Sequence, residues 1–379
     1  MPIDALFVSH GGGPLPLLGD PNHAELVATL EKLGEKLREE QTARTANPND
    51  PPPIKPIDVV VLISAHHEEA VCTVQAEQGD SGRGSVVEKT TLPGAIDSDK
   101  NHHPPPLLYD YYGFPPEAYN VSFPGSFRGA SIAEAEEIRA ILEQEEATGD
   151  HPNFKVVVAP PSRGFDHGVF VPLKVMKFSE AISRFSKNGG EQKQNEQKQH
   201  EDHVLIVQVS LLKDLSLESH ASLGRRLGRL QNVFLEKKQK RVLILGSGMS
   251  FHNMQAFFSS SREKLKWKET SEKMQEELVK AVREHMRLTT EAELDPARST
   301  EKWSQHEACQ EENWKSLFRQ PLVKESHPRL EHLLPLVVTC FAAGCRGKSG
   351  KQVSIEEFSG GLMGGLVFGH WVFSSSCAA

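Results

Sequence analysis

The sequence predicts an α/β protein, with a central mixed and largely parallel sheet flanked by helices. Two observations support this class. Short, uniformly apolar runs recur along the chain, which suits strands that are covered on both faces. Segments with helical periodicity lie between these runs, and strands that alternate with helices indicate an α/β architecture.

The predicted strands are five runs of β-branched and aliphatic residues. They are residues 5–8, 59–63, 156–158, 204–209 and 242–245. The predicted helices repeat apolar residues three or four positions apart, which gives one apolar face. They lie within residues 26–37, 132–142 and 223–234. These elements supply the core of the predicted fold.

Three polar stretches interrupt this pattern and are interpreted as insertions. Residues 41–56 are polar and rich in proline. Residues 186–202 are of low complexity and are expected to be disordered. Residues 259–320 are charged, with helical character from 271 to 287. Since strand-like runs lie on both sides of each stretch, residues 1–379 are predicted to form one domain with loop insertions.

Composition excludes several classes of protein. The net charge is −8, from 43 Lys and Arg against 51 Asp and Glu, which argues against a nucleic-acid or anionic-membrane partner. No run approaches the roughly 20 apolar residues of a membrane span. The N-terminus lacks the basic and apolar segments of a secretory signal. Five cysteines without a CxxC pair argue against zinc fingers and favour a reduced, cytoplasmic chain.

Histidines follow four of the five predicted strands. They are His10, His66, His167 and His252, each placed shortly after an apolar run. In open α/β sheets, ligands bind at the carboxyl ends of the strands. A neutral imidazole is a common ligand of Fe(II) or Zn(II), and its pKa near neutrality also allows it to move protons. Together these four residues predict a metal site with an acid/base group.

Two other interpretations of these residues were weighed. The chain has 17 histidines, and a single histidine in a loop is usually a solvated polar residue, so the prediction depends on the four occurring together. The Gly-rich run after His10 also resembles a phosphate-binding loop. However, it lacks the Lys-Ser/Thr pair of a P-loop and the glycine spacing of a dinucleotide site.

Short motifs that contain these histidines occur over nearly the whole chain. They are Phe-Val-Ser-His-Gly at 7–11, Ile-Ser-Ala-His at 63–66, Tyr-Asp-Tyr-Tyr-Gly-Phe-Pro at 109–115, Arg-Gly-Phe-Asp-His-Gly at 163–168 with Val-Pro-Leu at 171–173, Leu-Gly-Ser-Gly at 245–248 with His-Asn at 252–253, and His-Pro-Arg at 327–329 with Glu-His-Leu-Leu-Pro-Leu at 331–336. In their joint order they resemble the class III extradiol ring-cleavage dioxygenases, in particular the 4,5-DOPA extradiol dioxygenase branch.

The resemblance implies the roles of individual residues. The metal ligands of the family fall on His10, His66 and His252, and its acid/base histidine falls on His167. His332 matches a histidine expected near the substrate. The metal implied is Fe(II), while Zn(II) suits the same ligands. The implied reaction is the extradiol ring opening of a DOPA-like catechol with O2.

This chain departs from the family motif after the second ligand. The family has Trp where this chain has His67, so either His66 or His67 is available as the ligand, and the motif favours His66. Arg163 is a candidate for holding a substrate carboxylate, with a structural ion pair as the alternative. Asp166 could orient His167 or act as a surface cap. Residues 109–115 are interpreted as a packed loop, and Glu331 as part of a local salt bridge.

A second function from a different class is left open by the sequence. Three histidines and an open position fit zinc equally well, so a zinc-bound relative without oxygenase activity is the alternative. Such a protein would be a hydrolase or a metal-dependent binding protein. The fourth converging histidine, His167, favours the oxygenase, because a binding protein has no need of an acid/base group.

Overall fold

The computed structural model describes residues 1–42, 55–76, 106–122, 127–144, 154–159, 163–179, 204–260, 262–294, 300–344 and 352–376. All three predicted insertions fall partly or wholly outside these ranges. The described residues leave out 43–54 of the first insertion, all of 186–202, and 261 and 295–299 of the third. The disorder expected for 186–202 therefore stays a prediction.

All of the strands described lie in one mixed sheet. They are β1 (Ile3–Ser9), β2 (Ile57–Glu69), β3 (Cys72–Gln75), β4 (Phe127–Gly129), β5 (Val156–Ala159), β6 (Val204–Leu212), β7 (Arg241–Gly248), β8 (Gln352–Met363) and β9 (Leu366–Ser376). The order across the sheet is β5-β3-β6-β2-β7-β1-β9-β8, and β4 also pairs with β6.

The centre of the sheet is parallel and its edges are antiparallel. The four central strands pair in parallel with one another: β1 with β7, β7 with β2, and β2 with β6. The hairpin β8–β9 joins antiparallel to β1 at one side, and β3 joins antiparallel to β6 at the other. The central strands are buried along almost their whole length, as their uniformly apolar sequences require. The predicted α/β class with a largely parallel sheet is confirmed.

Helices cover the sheet. Those described are α1 (Ala24–Thr42), α2 (Ile132–Glu143), α3 (His167–Val175), α4 (Leu217–Lys238), α5 (Met254–Phe257), α6 (Lys264–Leu294), α7 (Thr300–Phe318), α8 (Pro321–Ser326) and α9 (Leu334–Ala343). Local sequence explains where they begin. Helix α2 starts at a capping box of Ser131 and Glu134, and Ser216 caps α4 through the backbone N–H of Ser219.

Strand β5 runs antiparallel to the central strands. The sequence instead led us to expect His167 after the carboxyl end of a parallel strand. Strand β5 pairs in parallel with β3, which is itself antiparallel to β6, so β5 is antiparallel to the centre of the sheet. An apolar run predicts a strand but contains no information about its direction. His167 is therefore not delivered by the carboxyl end of a parallel strand. It is the first residue of helix α3. The prediction that strand β5 is covered on both faces is also wrong, because Val157 is 46% exposed.

The predicted insertion at 259–320 is helical where it is described. Helices α6 and α7 pack on each other, and α6 also contacts β8 and β9. Ser271 Oγ accepts a hydrogen bond from Val367 N at 3.0 Å, which joins α6 to strand β9. No helix among the described residues combines the length and the apolar character needed to cross a membrane. The interpretation of the chain as one domain stays a prediction.

Candidate active site

The carboxyl ends of β1, β2 and β7 lie side by side because these strands are in parallel register. Ser9 at the end of β1 is paired with Gly248 at the end of β7. The backbone N–H of the next residue, His10, donates to Gly248 O at 3.1 Å. His66 lies further along β2, beyond its last pairing with β7. The register of the sheet therefore brings His10 and His66 to the same edge, as the sequence predicted.

Glycine at position 248 lets a third segment approach this edge. A Cβ atom at Gly248 would lie 2.1 Å from the carbonyl oxygen of His332. That carbonyl accepts a hydrogen bond from Met249 N at 2.9 Å, so the loop before α9 rests on the backbone of β7. Only a residue without a side chain permits this contact. The absence of a side chain at Gly248 thus places His332 next to the strand-end histidines.

His10, His66 and His167 form one group whose possible ligand atoms all lie within 4.8 Å of one another. Nε2 of His10 is 3.2 Å from Nε2 of His66. The ring centroids of His66 and His167 are 4.0 Å apart. His10 and His167 are buried, whereas the side chain of His66 is 22% exposed. A solute can therefore reach this group on the His66 side.

The hydrogen bonds of His10 and His66 indicate which ring nitrogen carries the proton. Ser247 Oγ donates to Gly168 O, so its contact with His10 Nδ1 at 3.1 Å requires the imidazole to donate. Nδ1 of His66 faces a carboxylate oxygen of Asp110 at 3.5 Å, which also favours a proton on Nδ1. Both Nε2 atoms then carry lone pairs, and these face each other.

Two lone pairs at this distance repel each other unless a cation lies between them. Metal–nitrogen bonds of roughly 2.1 Å separate two neighbouring ligands of one ion by about 3.0–3.4 Å. The observed 3.2 Å between the Nε2 atoms of His10 and His66 falls in this range. The donor set is composed of neutral imidazoles with carboxylate or hydroxyl partners on Nδ1, which is typical of metal-binding histidines. These residues fit a divalent metal.

The carboxylate that holds His167 is Asp110. Its Oδ1 accepts from His167 Nδ1 at 2.8 Å and from the backbone N–H of His167 at 3.0 Å. Asp166, the orienting residue considered from the sequence, is fully buried and contacts other groups. Its carboxylate accepts from Ser64, Arg163 and Gln208. It occupies the N-cap position of α3 without capping the helix through its side chain.

Arg163 is engaged by the protein itself. Its NH2 group donates to Asp166 at 3.0 Å and to the carbonyl oxygen of His66 at 2.5 Å. This is the structural ion pair that the sequence offered as an alternative, and it braces the backbone at His66. Binding of a substrate carboxylate by Arg163 stays a prediction.

His252 lies in a second group, with Glu331 and His332. The rings of His252 and His332 are stacked at 3.6 Å with an angle of 10° between their planes. Lone pairs on imidazole nitrogens lie in the ring plane, and two nearly parallel planes at this separation do not meet at one ion. His252 and His332, as placed here, therefore cannot both bind the same metal.

His332 lies close to both groups of histidines, which together form one cluster of His10, His66, His167, His252 and His332. Its ring centroid is 5.0 Å from that of His66 and 5.4 Å from that of His10. Its Nδ1 lies 2.9 Å from Glu331 Oε1, which leaves Nε2 for the cluster. Of the three predicted ligands, the structure brings His10 and His66 into contact and places His252 against His332. The assignment of His252 as the third ligand stays a prediction.

Burial keeps the imidazoles neutral. It is the largest cause that lowers the pKa of His10, His66, His252 and His332, and repulsion from neighbouring histidines as cations lowers the pKa further. For His252 the pKa falls to about 4. A histidine must be unprotonated to bind a metal, so burial prepares these side chains as ligands at neutral pH.

His67 points away from this cluster, since successive residues of a strand face opposite sides of the sheet. It is fully buried, and within the described residues neither ring nitrogen has a hydrogen-bond partner. Burial lowers its pKa to about 4. The position of His66 in the cluster supports the choice of His66 over His67 as the ligand.

Three residues near the cluster are not predicted as site residues by the sequence. They are Asp110, predicted to lie in a packed loop, Glu331, predicted to form a salt bridge, and Ser247. Glu331 does contact Arg329 at 3.4 Å, but it also holds His332. The signal that could have found Asp110 is a carboxylate set between two tyrosines, in a segment rich in aromatic residues.

Comparisons with known proteins show what this chain is similar to. Residues 136–317 match the family model described as the catalytic LigB subunit of aromatic ring-opening dioxygenase. The protein named "Dioxygenase tasH" from Hapsidospora irregularis is 32% identical over 259 residues, which are 68% of this chain and 56% of that protein. This chain thus spans little more than half the length of that relative.

Two further similarities extend over nearly the whole chain. The "4,5-DOPA dioxygenase extradiol-like protein" of Schizosaccharomyces pombe is 24% identical over 362 residues, covering 95% of this chain and 90% of that protein. A crystal structure of the uncharacterized protein JW3007 from Escherichia coli K12 matches with a TM-score of 0.49 and 15% identity, covering 98% of this chain and 99% of that one.

Proposed function

Since the chain carries a domain of the LigB family of aromatic ring-opening dioxygenases, we propose that it cleaves the ring of a catechol-type substrate at an extradiol position with O2. The observation that carries this proposal is the distance of 3.2 Å between the Nε2 atoms of His10 and His66, which suits two ligands of one metal ion. The proposed metal is Fe(II), held by His10, His66 and His252. When bound, Fe(II) supplies the Lewis-acid and redox chemistry that lets dioxygen react with a catechol.

His167 is proposed to carry the protons. Its Nδ1 is held by Asp110, so its Nε2 is left to act on a substrate beside the cluster. Ionisation of a catechol requires a base within hydrogen-bond distance of the hydroxyl group. His167 accepts this proton in the proposed mechanism and returns it to oxygen when the ring opens. The ring of His332 lies 5.4 Å from that of His10 and 5.0 Å from that of His66, and His332 is proposed to bind the substrate.

A cavity beside the cluster is the proposed place for the rest of the substrate. It has a volume of about 600 Å³, within the usual range for sites that bind small organic ligands. His252 and Glu331 line this cavity, and both of them contact His332. Met254 and Trp267 add apolar surface, which suits an aromatic or aliphatic substituent. A DOPA-like catechol is the proposed substrate class.

The test is reconstitution under anaerobic conditions. The protein is loaded with Fe(II), a panel of catechols that includes DOPA is added, and air is admitted. The expected result is oxygen consumption with formation of a yellow ring-opened semialdehyde. The matched control is the His10→Ala, His66→Ala double variant, which should bind no Fe(II) by metal analysis and form no product.

The same experiment separates the two functions left open by the sequence. A protein that holds Fe(II) and binds catechols but consumes no oxygen would contradict the oxygenase. It would support the zinc-bound hydrolase or binding protein instead. A double variant that retains full metal occupancy would contradict the assignment of the ligands.

A further inference from the structure

Asp110 lies between two of the cluster imidazoles and contacts both. Its Oδ1 accepts two hydrogen bonds from His167, one from Nδ1 at 2.8 Å and one from the backbone N–H at 3.0 Å. Its Oδ2 faces Nδ1 of His66 at 3.5 Å. One carboxylate thus lies next to a proposed metal ligand and next to the proposed acid/base.

The segment that carries Asp110 is fixed to the start of α3. Leu108 N donates to Phe165 O, and Phe165 N donates to Pro106 O, both at 2.8 Å. A Cβ atom at Gly164 would lie 2.6 Å from Pro106 O, so glycine is needed for this close contact. On the other side, the hydroxyl group of Tyr111 donates to Ala118 O at 2.5 Å. These contacts define the position of the carboxylate between the rings.

The charge of Asp110 determines what its neighbours must do. Its Oδ1 receives two N–H groups from His167, so the side chain acts as a hydrogen-bond acceptor at this position. A carboxylate can only accept hydrogen bonds. A neutral imidazole beside it must turn a protonated nitrogen toward it.

We propose that Asp110 is a positioning residue that fixes the Nδ1–H tautomer of both His66 and His167. With Nδ1 protonated, Nε2 of His66 has the lone pair that a metal needs, and Nε2 of His167 has the lone pair that a base needs. A single carboxylate thereby prepares metal binding and proton transfer together. The metal-binding half of this inference rests on the proposed function, whereas the tautomer assignment does not.

The sharpest test is Asp110→Asn, which keeps the size of the side chain. Its carbonyl oxygen is expected at the Oδ1 position, where it receives two N–H groups from His167. The amide NH2 group then faces Nδ1 of His66, and two donors cannot bond to each other. We expect His66 to change to the Nε2–H tautomer, while His167 keeps a proton on Nδ1. Nitrogen-15 NMR of the metal-free protein distinguishes the two tautomers of each ring.

The second measurement is the affinity for Zn²⁺ alone, by titration calorimetry. Loss of a carboxylate behind a metal-bound histidine typically weakens binding about 10–100-fold, and we expect this range for Asp110→Asn. The matched control is Asp58→Asn. Asp58 is a half-buried aspartate whose carboxylate accepts from Arg241 N at 2.6 Å, at the opposite end of the sheet. The control should bind Zn²⁺ like the wild type.

Two results would overturn the proposal: an unchanged His66 tautomer in Asp110→Asn, or a Zn²⁺ affinity equal to that of the wild type. If the wild-type protein binds neither Zn²⁺ nor Fe(II), the proposed function fails. The NMR comparison of metal-free proteins would still decide the role of Asp110 in that case.

Discussion

Replacing Gly248 with alanine should move His332 without changing any functional group. The added Cβ would lie 2.1 Å from the carbonyl oxygen of His332, and real Cβ atoms essentially never come closer than 3.0 Å. The carbonyl must therefore retreat by at least about 0.9 Å. This atom belongs to the backbone, which cannot rotate away as a flexible side chain can. The hydrogen bond from Met249 N to the same oxygen, 2.9 Å long, would be strained as well.

A misplacement of about 1 Å at a reacting group can reduce catalysis about 100-fold, and we expect a loss of this size in kcat/KM for Gly248→Ala. The added methyl group should also lower the free energy of unfolding by about 1–3 kcal/mol, the usual cost of overpacking. Affinity for Fe(II) should change much less, because His10 and His66 are not displaced. Oxygen uptake kinetics, urea unfolding and metal titration measure the three effects.

The matched control is Gly369→Ala. There too an added Cβ would lie 2.1 Å from its nearest neighbour, but that neighbour is the amide at the end of the Gln275 side chain. A flexible side chain can turn away, so near wild-type kcat/KM is expected. Wild-type kcat/KM in Gly248→Ala would refute the argument that this glycine positions His332.

Three further predictions follow from the sequence and the structure. His167→Ala should retain the metal and still bind catechols, while turnover falls about 10²–10⁴-fold; metal loss in this variant would make His167 a ligand instead. Deletion of residues 186–202, which lie outside the described residues, should leave thermal stability and activity nearly unchanged, as their polar sequence predicts. His285 is fully buried between Trp314 and Cys340, and burial lowers its pKa to about 3. Because the unfolded chain then binds more protons below about pH 6.5, the free energy of unfolding of the metal-free protein should fall from pH 7 to pH 5, and urea unfolding at both values checks this.

The sequence predicted the part of the site that depends on strand register. Apolar runs identified β1, β2 and β7, and parallel pairing brings the residues at their carboxyl ends together, so His10 and His66 could be placed side by side. The α/β class followed from the same runs. Periodicity also identified the buried face of α1, whose four leucines at 26, 30, 33 and 37 lie in the core.

Contacts that depend on long connections could not be predicted. The direction of β5 is set by its pairing with β3, which follows β2 after a short turn, and no local pattern encodes that pairing. The contact of Asp110 with His167 joins residues 57 positions apart, and strand β4, helix α2 and strand β5 lie between them in the chain. The stacking of His252 on His332 likewise depends on how the loop before α9 packs on Gly248. Tertiary packing decides each of these arrangements.

The cavity beside His252 draws its walls from parts of the chain that supply neither His10 nor His66. Lys266 and Trp267 come from the first turn of α6, in the charged stretch that interrupts the predicted pattern of strands and helices. Lys324 comes from the short helix α8. Substitutions in these walls can alter which substituent fits while the imidazoles at the sheet edge keep their places. If the proposed function holds, the range of substrates can therefore change, in evolution or in the laboratory, without any change at His10 and His66.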